Sequence, residues 1–480
     1  MILVNQINLI SKYLQFISFN FPAMKKAILS LLLCCVLGFM YQPAFSVPAK
    51  PGIIEFIQPD GSTLLIYLHG DEIVKWAETL DGYTLMFNSE GYYEYAVRNG
   101  IGDMVPSGIV ARNIESRNSQ AQAMLASTPK GLFYSNEQMS YLSQIRSMYE
   151  AEAKSTMAFP TTGNRRLLCI LIAYTDKAFT RTQAEFHALF NQVNYTVGGA
   201  TGSVKDYYLQ NSYNQFNLTV DVAGPYTASN TLNYYGANDA NDNDLRPREL
   251  VTEAVNLADA DTVNFALYDN DSNGSVDGIY VIYAGYGEDA GAAANTIWAH
   301  AWSIPTVYKD GKSVSKYSCS AELRGTTGTN ITRIGVICHE FGHTLGAPDF
   351  YDTNYDEDGQ YDGTGEWDMM AGGSWNNGGA TPAHHNPYTK IYIYGWANAI
   401  TLMASQNVAM LNSAQNATSF YRYDTPTTGE YFLLENRQRV GFDTACPGHG
   451  MIIYHVDGNY ISSHNSANDI NATSHQGLFP

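Results

Sequence analysis

The chain has 480 residues, of which 45% are hydrophobic and 15% charged, and its formal net charge is -19. This length and composition are typical of a folded protein of two or three domains and exclude a largely disordered chain. The excess of acidic residues argues against nucleic acid as a partner, because phosphate binding requires clustered lysine and arginine. It suits a well-solvated exterior with calcium sites.

Residues 1–46 are interpreted as an upstream segment followed by a signal peptide. Lys25 and Lys26 form a short basic region, residues 27–40 are apolar, and Ala44 and Ser46 are small residues suited to cleavage. The apolar run is too short for a comfortable membrane span. We therefore expect export by a bacterial signal peptide, to the medium or the cell surface, without stable membrane insertion afterwards.

Four cysteines lie beyond this segment, and an exported protein could join them in disulfides whose pairing the sequence does not decide. They are Cys169, Cys319, Cys338 and Cys446. Their spacing does not resemble a cysteine-rich zinc site, and Cys338 is better explained as a buried helix residue.

Residues 47–160 are predicted to form a small β-rich domain and a linker. Between residues 52 and 97, short β-branched and aromatic runs alternate with turn pairs, which is typical of hairpins. Ser135 and Gln138 are spaced as a capping box, which predicts a helix to about Lys154. The stretch from Phe159 to Arg166 interrupts this pattern and carries a basic pair, as an exposed linker would.

Residues 161–480 are predicted to form a larger domain of α/β to α+β type. Continuous apolar runs at Leu167–Tyr174 and Gly278–Gly285 predict buried strands, and helical patterns lie near 182–192 and 203–211. Further apolar runs after residue 407 predict more strands. The chain ends in a stretch without a closing pattern, and we expect a truncated gene product.

The strongest chemical signal is a pair of histidines, His339 and His343, separated by one turn of a predicted helix over 331–346. Residues four apart share a helix face, so both imidazoles can bind one zinc ion. Glu340 projects toward the same ion, where it can take a proton from a bound water. Gly346 permits a conformation that ends the helix, after which Asp349 can return to the metal as a third ligand.

The assignment of the third ligand leaves alternatives open. Glu366 could complete the site in place of Asp349. The acidic run around Asp349 could also form a second calcium site or a merely solvated loop. This run contains Asp349, Asp352, Asp356, Asp358 and Asp362.

A second oxygen-rich pattern precedes the strand at Gly278–Gly285. Its side chains alternate along the chain, with Gly274 at the sixth position, as in the first part of an EF-hand loop: Asp269, Asp271, Asn273, Ser275 and Asp277. Tyr280 stands where the bidentate glutamate of an EF-hand would be. The pattern predicts either a calcium-binding loop or an Asx-rich turn without metal.

The zinc motif is followed by Trp367–Trp375, which contains Met370 and resembles the methionine turn beneath the metal of metzincin peptidases. The whole set resembles the M6 metallopeptidases, or immune inhibitor A-like proteases. The matching segments are Ser203–Tyr208, Asp269–Asp277, Ile297–His300, His339–Asp349, Trp367–Trp375 and Glu435–Gln438.

This resemblance implies a metzincin-like zinc endopeptidase, made for export as a latent precursor, with residues 47–160 as its propeptide-like domain. His339, His343 and Asp349 would bind zinc, Glu340 would be the general base, and Met370 would lie beneath the ion. The substrates would be proteins or peptides. Cleavage in the linker at 159–166 would release the active enzyme.

Some metzincins stabilise the oxyanion with a tyrosine two residues after the turn methionine, but that position here is Gly372. Tyr388 is a speculative substitute, although a packed tyrosine is the simpler interpretation. Four other histidines lack a helical partner ligand and are interpreted as ordinary hydrogen-bonded residues: His300, His384, His385 and His455. The competing functional class is a catalytically silent, calcium-stabilised surface binding protein, against which the intact Glu340 argues.

Overall fold

The computed structural model of the protein describes residues 45–153, 159–239, 243–355 and 361–480. Residues 1–44 of the predicted signal segment, 1–46, lie outside this part. The strands are β1 Phe45–Ser46, β2 Ile53–Ile57, β3 Thr63–Gly70, β4 Lys75–Thr79, β5 Thr84–Phe87, β6 Tyr93–Arg98, β7 Met104–Val110, β8 Gly163–Ala173, β9 Phe216–Thr227, β10 Ile279–Tyr286, β11 His300–Lys309, β12 Lys312–Leu323, β13 Ala399–Thr401, β14 Phe420–Asp424, β15 Glu430–Arg437, β16 Gly450–Asp457 and β17 Leu478–Phe479. The helices are α1 Ser119–Leu125, α2 Asn136–Ala153, α3 Gln183–Asn191, α4 Val204–Asn211, α5 Leu232–Gly236, α6 Pro247–Ala260, α7 Ile334–Thr344 and α8 Gly458–His464.

The N-terminal unit is an antiparallel meander of six strands in the order β2 to β7. The predicted hairpins are therefore present. Alternate residues of β3 are buried, because one face of the sheet packs inward and the other meets solvent. The capping box before α2 is also present: Ser135 accepts from the Gln138 backbone N–H, and the Gln138 side chain accepts from Ser135 N–H.

The central sheet has six strands in the order β1-β11-β12-β10-β8-β9. Strands β8, β9, β10 and β12 run parallel, whereas β11 is antiparallel to β12 and pairs with β1 on its outer side. The apolar runs of β8 and β10 are buried on both faces. The predicted α/β organisation is thus present, with one antiparallel edge formed by β11 and β1.

The core on one face of this sheet contains α3, α4 and α7, and the opposite face packs against α6. Helix α7 is buried along its whole length. A third sheet, β13-β14-β15-β16-β17, follows near the C-terminus. Its inner side chains Leu433, Tyr454 and Val456 join the core that contains α7, so the C-terminal strands are part of the larger domain.

The linker prediction over 159–166 is wrong for both ends of that segment. Phe159 is buried and packs edge-on against Phe341 of α7, with ring centroids 5.2 Å apart. Arg165 and Arg166 belong to β8, and Arg166 pairs with Asp221 at 2.7 Å. The basic pair is therefore held in a sheet, which a protease cannot enter without breaking the ladder.

The four cysteines are all buried with free thiols. Burial raises the pKa of Cys338 well above its usual value, so this thiol in the middle of α7 behaves as an apolar packing group. No helix within the described residues is long and apolar enough to span a membrane.

Candidate metal centre

Helix α7 places three functional side chains at its C-terminal end. It begins at Ile334, three residues later than the sequence pattern indicated, and ends at Thr344. Gly346 follows with φ +105°, a conformation that favours glycine, and redirects the chain away from the helix axis. This turn brings Asp349 back toward His339 and His343.

The side chains of His339, His343 and Asp349 converge on one point. Asp349 Oδ1 lies 3.1 Å from His339 Nε2 and 3.4 Å from His343 Nε2. Among the described residues, these three form the one group of at least three histidine, cysteine or carboxylate side chains with potential ligand atoms within 4.8 Å of one another. All three are buried. The prediction that the turn returns Asp349 to the histidines therefore matches the geometry.

The hydrogen bonds of the two rings determine which atoms face that point. His339 Nδ1 lies 2.7 Å from the Met369 carbonyl oxygen, and His343 Nδ1 lies 2.8 Å from the Ala347 carbonyl oxygen. A carbonyl can only accept, so each Nδ1 carries the hydrogen and each neutral ring directs an Nε2 lone pair inward. No hydrogen then lies between the two Nε2 lone pairs and the Asp349 carboxylate oxygen, so these three atoms fit a bound cation. A ligand set of two nitrogens and one oxygen suits zinc.

The electrostatic surroundings favour these protonation states. Burial lowers the pKa of His343, which keeps the ring neutral and able to bind a metal. Burial alone would raise the pKa of Asp349, but the positive charge of His343 and His339, when these rings carry a second proton, holds it below its usual range. The carboxylate is then ionised in the centre.

Asn468 holds Asp349 from the C-terminal part of the chain. Its Nδ2 donates to Asp349 Oδ2 at 2.8 Å, and its Oδ1 accepts from the Asp349 backbone N–H at 2.9 Å. Both bonds leave Asp349 Oδ1 directed at the histidines. Sequence reasoning missed Asn468, because nothing local marks a residue 119 positions away as a partner of Asp349.

Met370 packs directly against α7 at Gly342. Gly342 lies between the two predicted histidine ligands, and a Cβ added to it would lie 2.7 Å from Met370 Sδ. Only glycine at this position therefore lets Met370 approach the helix so closely. The preceding residue, Met369, supplies the carbonyl that orients His339. This arrangement agrees with the expected place of Met370 beneath the site.

Glu340 is fully buried beside the three converging side chains. Its Oε1 accepts from the Val47 backbone N–H at 2.8 Å, and its Oε2 has no hydrogen-bond partner among the described residues. Burial raises the pKa of Glu340 well above its usual value. A carboxyl whose protonated form is favoured in this way is suited to general acid–base work.

The N-terminal segment crosses the centre. The Ser46 carbonyl oxygen lies 3.2 Å from His339 Nε2, and it accepts a 2.7 Å hydrogen bond from the Tyr351 hydroxyl. Burial raises the pKa of Tyr351, so it remains a donor. Tyr351 was missed by sequence reasoning, although its position two residues after Asp349 was a signal that could have found it.

Comparison with known proteins agrees with this geometry. Residues 173–396 match the model of the immune inhibitor A peptidase M6 catalytic domain. Residues 173–396 thus form a domain of the M6 metallopeptidase family. The matched segment contains all three converging side chains, Glu340 and Met370.

Two M6 relatives illustrate the extent of the similarity. The pre-pro-metalloprotease PrtV of Vibrio cholerae serotype O1 is 33% identical over 303 residues, which cover 52% of this chain and 32% of PrtV. Immune inhibitor A of Bacillus thuringiensis subsp. alesti is 27% identical over 235 residues, covering 42% of this chain and 34% of that protein. The chain thus spans about a third of the length of these relatives.

The alternative third ligand is placed elsewhere in the M6 domain. Glu366 is exposed and does not join the converging group. Asp352 is buried, but its carboxylate accepts from the backbone N–H groups of Asn354 and Tyr355 and so stabilises a loop. Asp362 is exposed. Asp356 and Asp358 lie outside the described residues, and the second calcium site remains a prediction.

The predicted calcium loop forms a tight turn before β10. Asp269 accepts from the backbone N–H groups of Asn273 and Gly274 and pairs with Lys312 Nζ at 2.7 Å. Asp277 accepts from both the backbone and the side-chain amide of Asn270. These contacts are those of an Asx-rich turn with a lysine partner, and calcium binding by Asp269, Asp271, Asn273, Ser275 and Asp277 remains a prediction.

The four other histidines considered in the sequence analysis lie outside the centre, and three of these four have polar partners. His300 contacts the Trp298 carbonyl and the Tyr317 hydroxyl, His384 contacts Gln210 and Lys390, and His455 lies 3.7 Å from Glu430. For His385 the expectation of a hydrogen-bonded ring is wrong. Its ring nitrogens have no hydrogen-bond partner among the described residues, because the ring packs against the aromatic side chains of Tyr394 and Trp396.

Tyr388 is half-buried, with its ring 6.3 Å from Phe350 and 5.2 Å from Tyr392. These contacts are those of a packed tyrosine. Tyr351 is the tyrosine whose hydroxyl reaches the centre.

Proposed function

We propose that the protein is an exported zinc-dependent endopeptidase of metzincin type. The observation that carries this proposal is the convergence of His339, His343 and Asp349 beside the buried carboxyl of Glu340. A zinc ion held by the three side chains would supply a water of lowered pKa and a positive charge for the scissile carbonyl.

Other groups around the centre have separate roles in the proposed peptide hydrolysis. Glu340 takes the proton from the attacking water and passes it to the leaving amine. Tyr351 donates a hydrogen bond to the carbonyl oxygen as negative charge develops there, as it does to the Ser46 carbonyl in the precursor. Met369 and Ala347 hold the two histidines in the ligand orientation through their carbonyl oxygens, and Met370 forms the floor beneath them.

We also propose that the chain is made as a latent precursor, with residues 47–160 as the inhibitory unit. The contact of Val47 with Glu340 supports this, as do the contacts of Ser46, immediately before the unit, with His339 and Tyr351, because a chain that occupies the cleft excludes substrate. The buried ion pair between Lys75 of the N-terminal sheet and Glu288 of the M6 domain, at 2.6 Å, fastens the unit in place. Release requires cleavage outside β8, which holds Arg165 and Arg166.

The experiment compares residues 47–480 with the same chain carrying Glu340→Ala, each tested for casein digestion after limited proteolysis. The variant should be slower by roughly a hundredfold to ten-thousandfold, the usual contribution of a general base. A chelator should abolish the activity of the unsubstituted chain, and added zinc should restore it. Equal digestion by both chains, with or without chelator, would refute the proposal.

The same experiment tests the second functional class, a calcium-stabilised surface binding protein without activity. That class predicts no turnover and no stoichiometric zinc. About one zinc per chain together with casein digestion supports the peptidase.

A further inference from the structure

Arg437, the last residue of β15, is fully buried and donates to three backbone carbonyl groups beneath the centre. Its Nη1 lies 2.6 Å from the Trp367 carbonyl oxygen and 3.4 Å from that of His384, and its Nη2 lies 3.3 Å from that of His385. A guanidinium has five N–H donors in one rigid plane, so a single arginine can bond several carbonyls at once. The matched M6 domain ends at residue 396, and Arg437 therefore holds two of its segments from the sheet that follows.

A line of hydrogen bonds connects Arg437 to the predicted zinc ligand His339. The His384 carbonyl oxygen that accepts from Arg437 also accepts from the Met369 backbone N–H at 3.3 Å. The Met369 carbonyl oxygen then accepts from His339 Nδ1 at 2.7 Å. Trp367, which Arg437 also bonds, lies two residues before Met369. The guanidinium thus holds the peptide that orients His339 both directly along the chain and through the neighbouring segment.

Two buried carboxylates hold the guanidinium in this orientation. Glu435 Oε1 lies 2.7 Å from Arg437 Nη2, and Asp443 Oδ1 lies 3.3 Å from Arg437 Nη1. Glu435 is itself fixed, because its two oxygens accept from the hydroxyls of Tyr454 and Ser413. A buried ion pair adds little to stability by itself, since the cost of desolvation offsets the attraction. The geometry gives this pair another effect, which is to direct the plane of the guanidinium at the three carbonyls.

We propose that Arg437 is a positioning residue for His339, and that the C-terminal sheet thereby sets the affinity of the proposed peptidase for zinc. Arg437 is not among the converging ligand side chains. It acts through the Met369 carbonyl, which keeps the hydrogen on Nδ1 of His339 and leaves Nε2 free for the metal. This role also accounts for the segment Glu435–Gln438, which the sequence singles out but which contributes no ligand.

Arg437→Lys tests this role most directly, because lysine retains the charge but lacks the planar set of donors. Its ammonium can still pair with Glu435 and Asp443, but it cannot bond all three carbonyls. Zinc binding should weaken about ten- to a hundredfold, the usual effect of losing a hydrogen-bond partner behind a metal ligand. The ligands themselves remain, so excess zinc should restore a content of about one zinc per chain.

Lys390→Met is the matched control from the same buried cluster. The Lys390 ammonium lies 2.9 Å from His384 Nδ1 and 3.4 Å from the Tyr213 hydroxyl, and among the described residues it bonds no carbonyl beneath the centre. This substitution should change the melting temperature but leave the zinc affinity at the parent value. If the cluster only stabilised the fold, Lys390→Met would weaken zinc binding at least as much as the more conservative Arg437→Lys.

The experiment measures zinc affinity of the full, uncut chain and its variants by competition with a chromophoric chelator. Thermal melting of each metal-free chain verifies folding. Cobalt(II) in place of zinc gives a second measurement, because its visible absorption depends on the geometry of its ligands. The Arg437→Lys spectrum should differ from that of the parent chain, whereas the Lys390→Met spectrum should match it.

Equal zinc affinity and equal cobalt spectra in the parent chain and Arg437→Lys would overturn the positioning role while leaving the peptidase proposal intact. An equal loss of affinity in Lys390→Met would also overturn it. A parent chain that binds no zinc would instead defeat the proposed function, and the positioning role with it. If Arg437→Lys does not fold, Glu435→Gln decides the matter, because it removes the charge that orients the guanidinium: weaker zinc binding supports the role, and parent affinity overturns it.

Discussion

Asp349 depends on a partner that is remote in sequence. The turn at Gly346 brings the carboxylate near the histidines, and Asn468 then fixes its rotation by bonding Oδ2 and the backbone N–H. Glu366, the alternative ligand, is exposed. Replacing Asp349 should therefore weaken metal binding, whereas replacing Glu366 should not.

Asp349→Asn should reduce zinc binding by at least about tenfold, because a neutral amide replaces the anionic ligand of the centre. Glu366→Gln is the matched control and should retain about one zinc per chain. Zinc content after dialysis against a weak chelator measures both. Loss of zinc in the Glu366 variant with retention in the Asp349 variant would reverse the assignment.

Tyr351 is proposed to stabilise the oxyanion through its hydroxyl. Tyr351→Phe should lower kcat by up to about a hundredfold with little change in KM, because the bond strengthens in the transition state. Tyr388→Phe, which removes a hydroxyl at the residue suggested by sequence, should have no such effect. The measurement is steady-state hydrolysis of a fluorogenic peptide, with zinc content as a control. A larger loss in Tyr388→Phe would contradict the assignment.

Local patterns in the sequence predicted the elements that carry the centre. The spacing of His339 and His343 requires a helix, and the alternation of apolar runs with helical patterns indicated the α/β sheet that supports it. Helix α7 nevertheless begins later than the pattern indicated, because residues 331–333 cross from β12 to the helix in extended conformation: Ile331 forms an isolated bridge with Leu323. Helix ends are set by such tertiary contacts as well as by propensity.

Contacts between remote segments could not be predicted from the sequence. Asn468, Tyr351 and the antiparallel pairing of β1 with β11 depend on where the chain returns in space. The basic pair at Arg165 and Arg166 has the composition of a linker but lies in β8, since pairing with Leu218 and Thr219 of β9 overrides that local signal.

The pairing of β1 with β11, which leads into Val47, indicates how the proposed latency can be tested. Val47→Asp should raise the casein activity of an uncut 45–480 chain at least about tenfold, because an ionised carboxylate in the apolar cluster around Val47 costs several kcal/mol and expels the segment. The matched control is Ile53→Asp on β2, where the side chain is 55% exposed and should tolerate the charge.

Casein digestion before and after limited proteolysis measures this effect. The uncut parent chain should be nearly inactive and gain activity on cutting, whereas Val47→Asp should gain less because it is already open. Full activity of the uncut parent chain would contradict the inhibitory role of residues 47–160.

At the scale of the whole molecule, the three sheets bury several titratable groups that face no solvent. His300 is one of them: it is held between the Trp298 carbonyl and the Tyr317 hydroxyl at the junction of β11 and β12. Burial lowers the pKa of His300 to about 4, against about 6.5 in an unfolded chain. At pH values between these two pKa values, His300 therefore binds a proton more readily in the unfolded state than in the folded state.

Stability should consequently decrease as pH falls from about 6.5 toward 4, and His300 alone should contribute about 2–3 kcal/mol of that loss at pH 4.5. His300→Gln should be less stable than the parent chain at pH 7.5, but its melting temperature should fall less on acidification. His187→Gln, at an exposed site, should follow the parent chain at both pH values. An equal decrease in melting temperature on acidification in the parent chain and in His300→Gln would exclude this explanation.

The most direct test of the metal centre is anomalous diffraction at the zinc absorption edge from crystals of the chain grown with zinc. The account predicts one strong peak within about 2.0–2.2 Å of His339 Nε2, His343 Nε2 and Asp349 Oδ1, the distances of zinc–nitrogen and zinc–oxygen bonds. A peak bound by other side chains, or no peak between these three atoms at saturating zinc, would contradict it.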